Sequence, residues 1–321
     1  MPRRPGQGFS LFRGVSISVT WLWLGAFALL PGIALLLVSV LDKGEVDFFI
    51  PVLTSHNYEE LMGPVFLKVL WDSVRLAALA TFFCLLVGYP FAYRVARASA
   101  KWRPWLLLLV IIPFWTNSLI RTYALILIIG AQGMVNKGLM ALGIIDAPLQ
   151  MMYTDFAVFV GLTYTLLPFM VLPLYASIEK LDLTLLDAAK DLGAGPLRTF
   201  WNITIPLTLP GIVAGCMLVF LPSLGLFYVP EILGGAKNML LGTFIKNQFL
   251  VANNWPLGAA ASTVLTILLV LMGGIYRLAT LRAGKEKKDI IPGNNPNRQQ
   301  AESISTPQQT IPMQGQAGGG L

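Results

Sequence analysis

The chain has 321 residues, 55% of them hydrophobic and only 12% charged, with a net charge of +7. A soluble domain carries about 25% charged residues, so this composition excludes a large soluble core and points to several bilayer-length apolar segments. The positive balance is not read as nucleic-acid binding, because its distribution along the apolar pattern matters more than its sum. Cys84 and Cys216 both lie inside apolar runs, which argues against a disulfide framework. His56 has no Cys or His partner at metal-ligand spacing and reads as a solvated loop residue.

A helix needs about 20 apolar residues to cross roughly 30 Å of hydrocarbon. Six segments qualify, near 21–41, 73–93, 105–129, 156–176, 208–229 and 258–280. The first follows Arg3, Arg4 and Arg13 as a signal peptide would. Its apolar run is too long for such a peptide, and no small-residue cleavage site follows, so it is expected to remain as a span. The expected fold is therefore an all-α integral membrane protein of six transmembrane helices. A cytoplasmic segment covers 1–19, the six-span domain 20–283, and a disordered cytoplasmic tail 284–321. That tail is rich in Pro, Gln, Asn, Ser and Gly behind the basic patch Lys285–Lys288, a composition that buries too little apolar surface to order itself.

Orientation follows from the basic residues. With the N-terminus inside, most of them fall on the cytoplasmic side: Arg94, Arg97, Lys101 and Arg103, then Lys180, Lys190 and Arg198, then Arg277 to Arg298. Both termini are expected inside. The outer connections are long, and residues 134–145 read as an interfacial amphipathic helix.

Between spans four and five, Leu181, Leu185, Leu186, Ala189 and Leu192 recur at 3/4 spacing, predicting an amphipathic helix. Thr184 is the expected N-cap, with Asp187 three residues on. Gly193 and Gly195 permit the positive φ of a sharp turn. Pro196 suits the start of a second short helix with Leu197, Phe200 and Trp201 on its apolar edge. The picture is a helix–turn–helix elbow at the cytoplasmic surface.

This elbow resembles the loop of permeases from binding-protein-dependent ABC importers, written E-A-A, three residues, G, nine residues, I-x-L-P. Here it is Asp187-Ala188-Ala189, Gly193, Ile203, Ile205 and Pro206, with Asp for Glu and Ile for Leu. The resemblance implies that the elbow couples the spans to an ATPase. The chain has no phosphate-cradling G-x-x-x-x-G-K-[ST] string; Gly284-Lys285 is followed by Glu286. No cofactor is expected on this chain, and ATP and Mg belong to ATPase subunits, two by expectation. A second homologous permease and a periplasmic binding protein complete the expected partners, in a bacterial inner membrane and without nucleic acid.

Ile112-Pro-Phe-Trp-Thr-Asn-Ser-Leu-Ile-Arg-Thr-Tyr123 looks like the permease subunits of spermidine/putrescine importers. So do Ile178–Asp182, Gly225–Val229, Gly234–Asn238 and Asn254–Gly258, from about residue 20 to 280. One departure is Pro230-Glu231 where Ser-Asp is expected. A protonated polyamine needs carboxylates or aromatic faces along its path. Phe227, Tyr228 and Glu231 supply these at the end of span five, with Lys246 holding Glu231 or repelling substrate, and Trp115 beside the break at Pro113. The same residues also suit an interfacial aromatic belt with a solvated acid. Arg121 is an odd ligand for a polycation and reads as structural, pairing with an acid such as Asp155 or capping a broken helix. Asp72 and Arg75 read as a local pair at i, i+3. Other small cations or metals remain alternative cargo. A secondary transporter is disfavoured for lack of an internal repeat, and an enzyme for lack of a nucleophile–base or metal constellation.

Overall fold

The computed structural model describes residues 7–44, 48–235 and 239–290. Outside them lie Arg3, Arg4, Glu45, Asp47, the end of the Gly234–Asn238 string, and the expected tail beyond Ile290. The chain forms two units, Met1–Gly273 and Gly274–Leu321; the packing below belongs to the first.

A first helix, α1 (Gln7–Leu24), passes through a π-turn at Gly25–Leu29 into α2 (Leu30–Ser39). Its apolar side chains from Val15 onward are mostly exposed within this chain. A short antiparallel ribbon, β1 (Leu41–Asp42) and β2 (Ile50–Leu53), departs from the all-helical expectation. His56 is not in a loop but is the exposed first residue of α3 (His56–Leu61). Buried Asn57 donates from Nδ2 to the carbonyls of Ser39 and Leu41 at 3.1 and 2.8 Å, tying α3 to the end of α2.

Then follow α4 (Pro64–Arg97), α5 (Arg103–Ile111), a 3₁₀ turn at Ile112–Trp115, α6 (Ser118–Ile129) and α7 (Met134–Ala141). The chain continues through α8 (Asp155–Glu179), α9 (Leu183–Asp191), α10 (Pro196–Thr199) and a π-turn at Phe200–Thr204 into α11 (Ile205–Gly225). A π-turn at Pro230–Gly234, α12 (Leu241–Leu250) and α13 (Trp255–Ile290) close the described chain.

Among the described residues, six helical stretches are long and apolar enough to cross a membrane: Gly14–Ser39, Pro64–Arg97, Ser118–Ala141, Asp155–Glu179, Pro196–Gly225 and Trp255–Leu278. The third differs from the expected continuous span at 105–129. Pro113 tightens the chain into the 3₁₀ turn, Thr116 is extended, and Asn117 restarts the helix by accepting the Leu119 amide at 2.8 Å. The expected span at 105–129 thus falls into two helical pieces, α5 of 9 residues and α6 of 12, neither long enough to cross alone. The stretch Ser118–Ala141, long enough by length and composition, passes over the turn between α6 and α7.

The core lies where α4, α8 and α11 pack together around Ala80, Cys84, Leu162, Met170, Leu174 and Val219. Close approach rests on small residues, the usual device where lipid removes the hydrophobic drive between helices. A side chain on Gly211 would meet the Pro173 carbonyl at 2.9 Å, and one on Gly215 the Met170 sulfur at 2.7 Å. Tyr89 on α4 shares a buried hydrogen bond with Thr208 on α11 at 3.0 Å. Arg103 reaches from α5 to Glu179 at 2.6 Å and donates to the Ala96 carbonyl at 3.0 Å, joining the ends of α4 and α8. At the other end of these helices Arg75 pairs with Asp155, in place of the local Asp72–Arg75 pair expected from spacing. A second cluster, around Phe66, Leu241, Phe244, Leu257 and Ala261, packs α12 against the starts of α4 and α13.

Candidate functional site

The elbow begins at Asp182 rather than at the expected Thr184. The Asp182 carboxylate accepts the Thr184 amide at 3.0 Å, so it is the N-cap of α9. The Thr184 amide, and after it the Thr184 hydroxyl, hold the Asp182 carboxyl below the usual carboxylate range. A carboxyl whose folded pKa is depressed adds stability above its unfolded value, about 3.9, and loses it as pH falls through the folded value. Protection of the α9 amides, corrected for intrinsic exchange, is therefore expected to be flat from neutral to mildly acid pH and to fail only in strong acid. Asp182→Ala should lower it throughout. A loss near pH 6 would show that another group governs the helix.

The C-terminus of α9 is closed by glycine. Gly193 has φ of +77°, its amide donates to the Lys190 carbonyl at 2.8 Å, and the Ala194 amide donates to Ala189 at 2.9 Å. These two bonds form the Schellman cap. Gly195, which the sequence also allowed a positive φ, is extended at φ −66° and leaves the turn to Gly193. Pro196 does open α10, but α10 is not separate: through the π-turn it runs into α11, so the fifth crossing starts at the elbow. Ile203 falls in that π-turn and Pro206 in the first turn of α11.

Burial separates the two faces of α9. Leu181, Leu186 and Ala189 are buried against the chain. Leu185, Ala188 and Leu192 point away, with Leu192 88% exposed, beside exposed Leu197 and Trp201. Leu185 and Leu192, expected on the inward face, thus belong to an exposed apolar row. Asp187 is also exposed and pairs with Lys190 at 2.8 Å. That bond, then the charge behind it, holds the Lys190 ammonium above the usual lysine range.

The second set lies beyond α11, which ends at Gly225 before Phe227 rather than running to 229. Phe227 and Tyr228 stand perpendicular, ring centres 6.2 Å apart. The Glu231 amide donates to the Phe227 carbonyl at 3.1 Å, which sets the acid one turn from that ring. Lys246 on α12 donates to Glu231 at 2.7 Å, its own side chain 20% exposed and that of the acid 45%. Trp115 stands 77% exposed at the break between α5 and α6. Arg121 neither caps the break, which Asn117 does, nor takes Asp155, whose ion pair is with Arg75. It lies over the Phe114 ring at 4.8 Å.

Two residues that place Lys246 were missed in the sequence. The Leu241 amide, at the start of α12, donates to buried Ser73 of α4 at 2.7 Å. Gly242 lies so close to the end of α11 that a side chain there would meet the Gly225 carbonyl at 2.5 Å. Neither has a local signal, because each partner is remote in sequence. Ser73→Ala leaves the Leu241 amide buried without an acceptor, at a cost of about 1–3 kcal/mol. The purified protein should unfold in detergent at a measurably lower temperature; an unchanged midpoint would mean this bond does not hold α12.

Apolar crossings, a glycine-closed elbow outside the helix core, and an ion pair at a helix break describe a polytopic membrane protein. No group of three or more His, Cys, Asp or Glu side chains arranged for a metal occurs among the described residues. A family model described as binding-protein-dependent transport system inner membrane component matches residues 85–283, and the chain belongs to that family. It is an inner-membrane permease subunit, not an enzyme.

The spermidine/putrescine transport system permease protein PotB of Salmonella typhimurium (strain SL1344) is 50% identical over 281 residues, 88% of this chain and 98% of that protein. The protein of the same description from Escherichia coli (strain K12) is 50% identical over 264 residues, 82% and 96% of the two chains. Among solved structures, a bacterial alginate ABC transporter in complex with alginate pentasaccharide-bound periplasmic protein has a chain superimposing at TM-score 0.68. It is 15% identical, over 86% of this chain and 95% of that one, a likeness of fold alone.

Proposed function

We propose that this chain is the membrane-spanning subunit of an ATP-driven polyamine importer of the spermidine/putrescine class. The observation that carries the reading is the 50% identity to the Salmonella permease across 98% of that protein's length. A family match alone leaves the cargo open; identity at this level over the crossings and the outer loops supports a shared one.

In this reading both termini are cytoplasmic, on the distribution of basic residues. The exposed row Leu185, Ala188 and Leu192 on α9, with Asp187, Ala189, Gly193, Ile203 and Pro206 fixing its shape, seats in an ATPase subunit. Two ATPase subunits hold ATP and Mg, and a second homologous permease completes the pathway. A periplasmic polyamine-binding protein delivers the cargo to the outer loops. Because α10 is continuous with α11, displacement of the elbow is passed to the fifth crossing without a joint. That crossing ends beside Phe227, Tyr228 and Glu231, where a substrate ammonium can exchange for Lys246 on the carboxylate. Trp115 offers a further aromatic face at the mid-crossing break.

The test is uptake by proteoliposomes holding this chain with its neighbouring permease, ATPase and binding protein. ATP-dependent accumulation of labelled spermidine or putrescine is expected, competed by other polyamines and not by amino acids or metal cations. Accumulation of one of those competitors with no polyamine uptake would overturn the assignment.

A further inference from the structure

Arg121 is 9% exposed, and its buried Nε has no hydrogen-bond partner. No carboxylate among the described residues forms an ion pair with it; the four pairs present join other residues. Its polar contact within the chain is the face of Phe114 at 4.8 Å, a ring that packs edge-on against Phe169 of α8 at 5.0 Å. A guanidinium stays charged in any protein setting. An aromatic face supplies about 0.5–2 kcal/mol, against a cost of several kcal/mol for a buried unpaired ion. Among the described residues, then, no anion balances this guanidinium.

Where a balancing anion comes from is constrained by direction. Arginines near a membrane end normally stretch toward the headgroups. Arg121 lies eight residues before the end of α6, about 12 Å along the axis, and its head turns the other way, back to Phe114 beyond the break. With α5 and α6 taken together as one crossing, lipid phosphate beyond the end of α6 lies on the side away from that head. A polyamine carries no negative charge, so under the function proposed above, on which this inference rests, cargo cannot supply the anion either. The neighbouring surface is exposed and apolar, with Trp115, Ile120, Tyr123 and Leu127 around the exposed polar break at Thr116 and Asn117. Polar backbone at such depth is tolerated where protein or a water-filled cavity covers it.

We propose that Arg121 pairs with an intramembrane carboxylate of the second permease subunit, so that the broken third crossing is a charge-matched subunit interface. The guanidinium is a positioning group: it fixes how the two permeases meet at the break and does not itself contact the cation.

The test uses the whole transporter, co-expressed and captured through a tag on this chain. Arg121→Gln is expected to lower the second permease retained per captured chain at least about tenfold, the scale of breaking a buried charge pair, and Arg121→Lys less. In the Arg121→Gln background, changing each membrane-embedded Asp or Glu of the second permease to its amide should find one position that restores retention. Arg121→Glu should be rescued by Arg at that same position, a reversal that still reads the contact if Arg121→Gln inserts poorly. Retention and uptake unchanged in Arg121→Gln, with the guanidinium merely hydrated or held by lipid, would overturn the pairing; so would failure of every amide and of the reversal to rescue. If the unaltered chain retains no second permease, the functional reading itself falls, and the pairing with it.

Discussion

Gly193→Val in the assembled transporter should lower ATP-driven uptake at least about fivefold, while Gly193→Asn keeps most of it. The cause is backbone conformation alone: a Cβ on Gly193 would meet nothing within 4 Å, yet its φ is +77°. An L-residue there costs about 1–2 kcal/mol, more when β-branched, and Asn tolerates the left-handed region best. That energy is a factor of roughly 5–30 in a local equilibrium. The helix it closes is short: α9 has 9 residues, below the roughly 12–15 at which an isolated helix holds in water. Loss of the Schellman bonds lets the α9 terminus fray and releases the exposed row from its position beside Pro196. Proteoliposome uptake, with membrane levels of each variant measured in parallel, checks it. Equal uptake by the Val and Asn variants would remove the elbow from the coupling step.

Much of this architecture is legible in sequence because a bilayer leaves few solutions: apolar length gives the crossings, and a proline gives the break in the third. Gly193 was legible because a helix C-terminus beside glycine has one common geometry. What escaped depends on partners remote along the chain. Arg75 has Asp72 three residues away, but the fold sets Asp155 against it, and local spacing cannot weigh the two. Leu185 and Leu186 both fit the 3/4 pattern, and only packing shows that Leu186 turns inward and Leu185 out. Asp182 outcompetes Thr184 as a cap because the helix starts at Leu183, two residues sooner than a cap at Thr184 would start it. Ser73 and Gly242 are ordinary residues in their own segments and acquire meaning only where α12 lands on α4 and the end of α11.

Glu231 and Lys246 pose a question that a single variant cannot answer, since a strut and a gate both fail when the pair is broken. If the carboxylate receives the substrate ammonium, Glu231→Gln should lower polyamine uptake by about three- to tenfold, the range for a charged hydrogen bond discounted for partial exposure. Lys246→Gln then leaves the carboxylate open, and uptake at low polyamine concentration should hold or rise. If the pair merely ties α12 to the π-turn, both variants should fall alike. The exchange Glu231→Lys with Lys246→Glu separates the cases further: it rebuilds the tie but moves the negative charge onto α12, away from Phe227 and Tyr228. A gate requires that the exchanged pair stay impaired, because the aromatic pair and the acid must sit within one turn for an extended polycation to meet both. Recovery of uptake in the exchanged protein would make the ion pair structural and leave the polyamine path to be sought elsewhere, first at Trp115 and the broken third crossing.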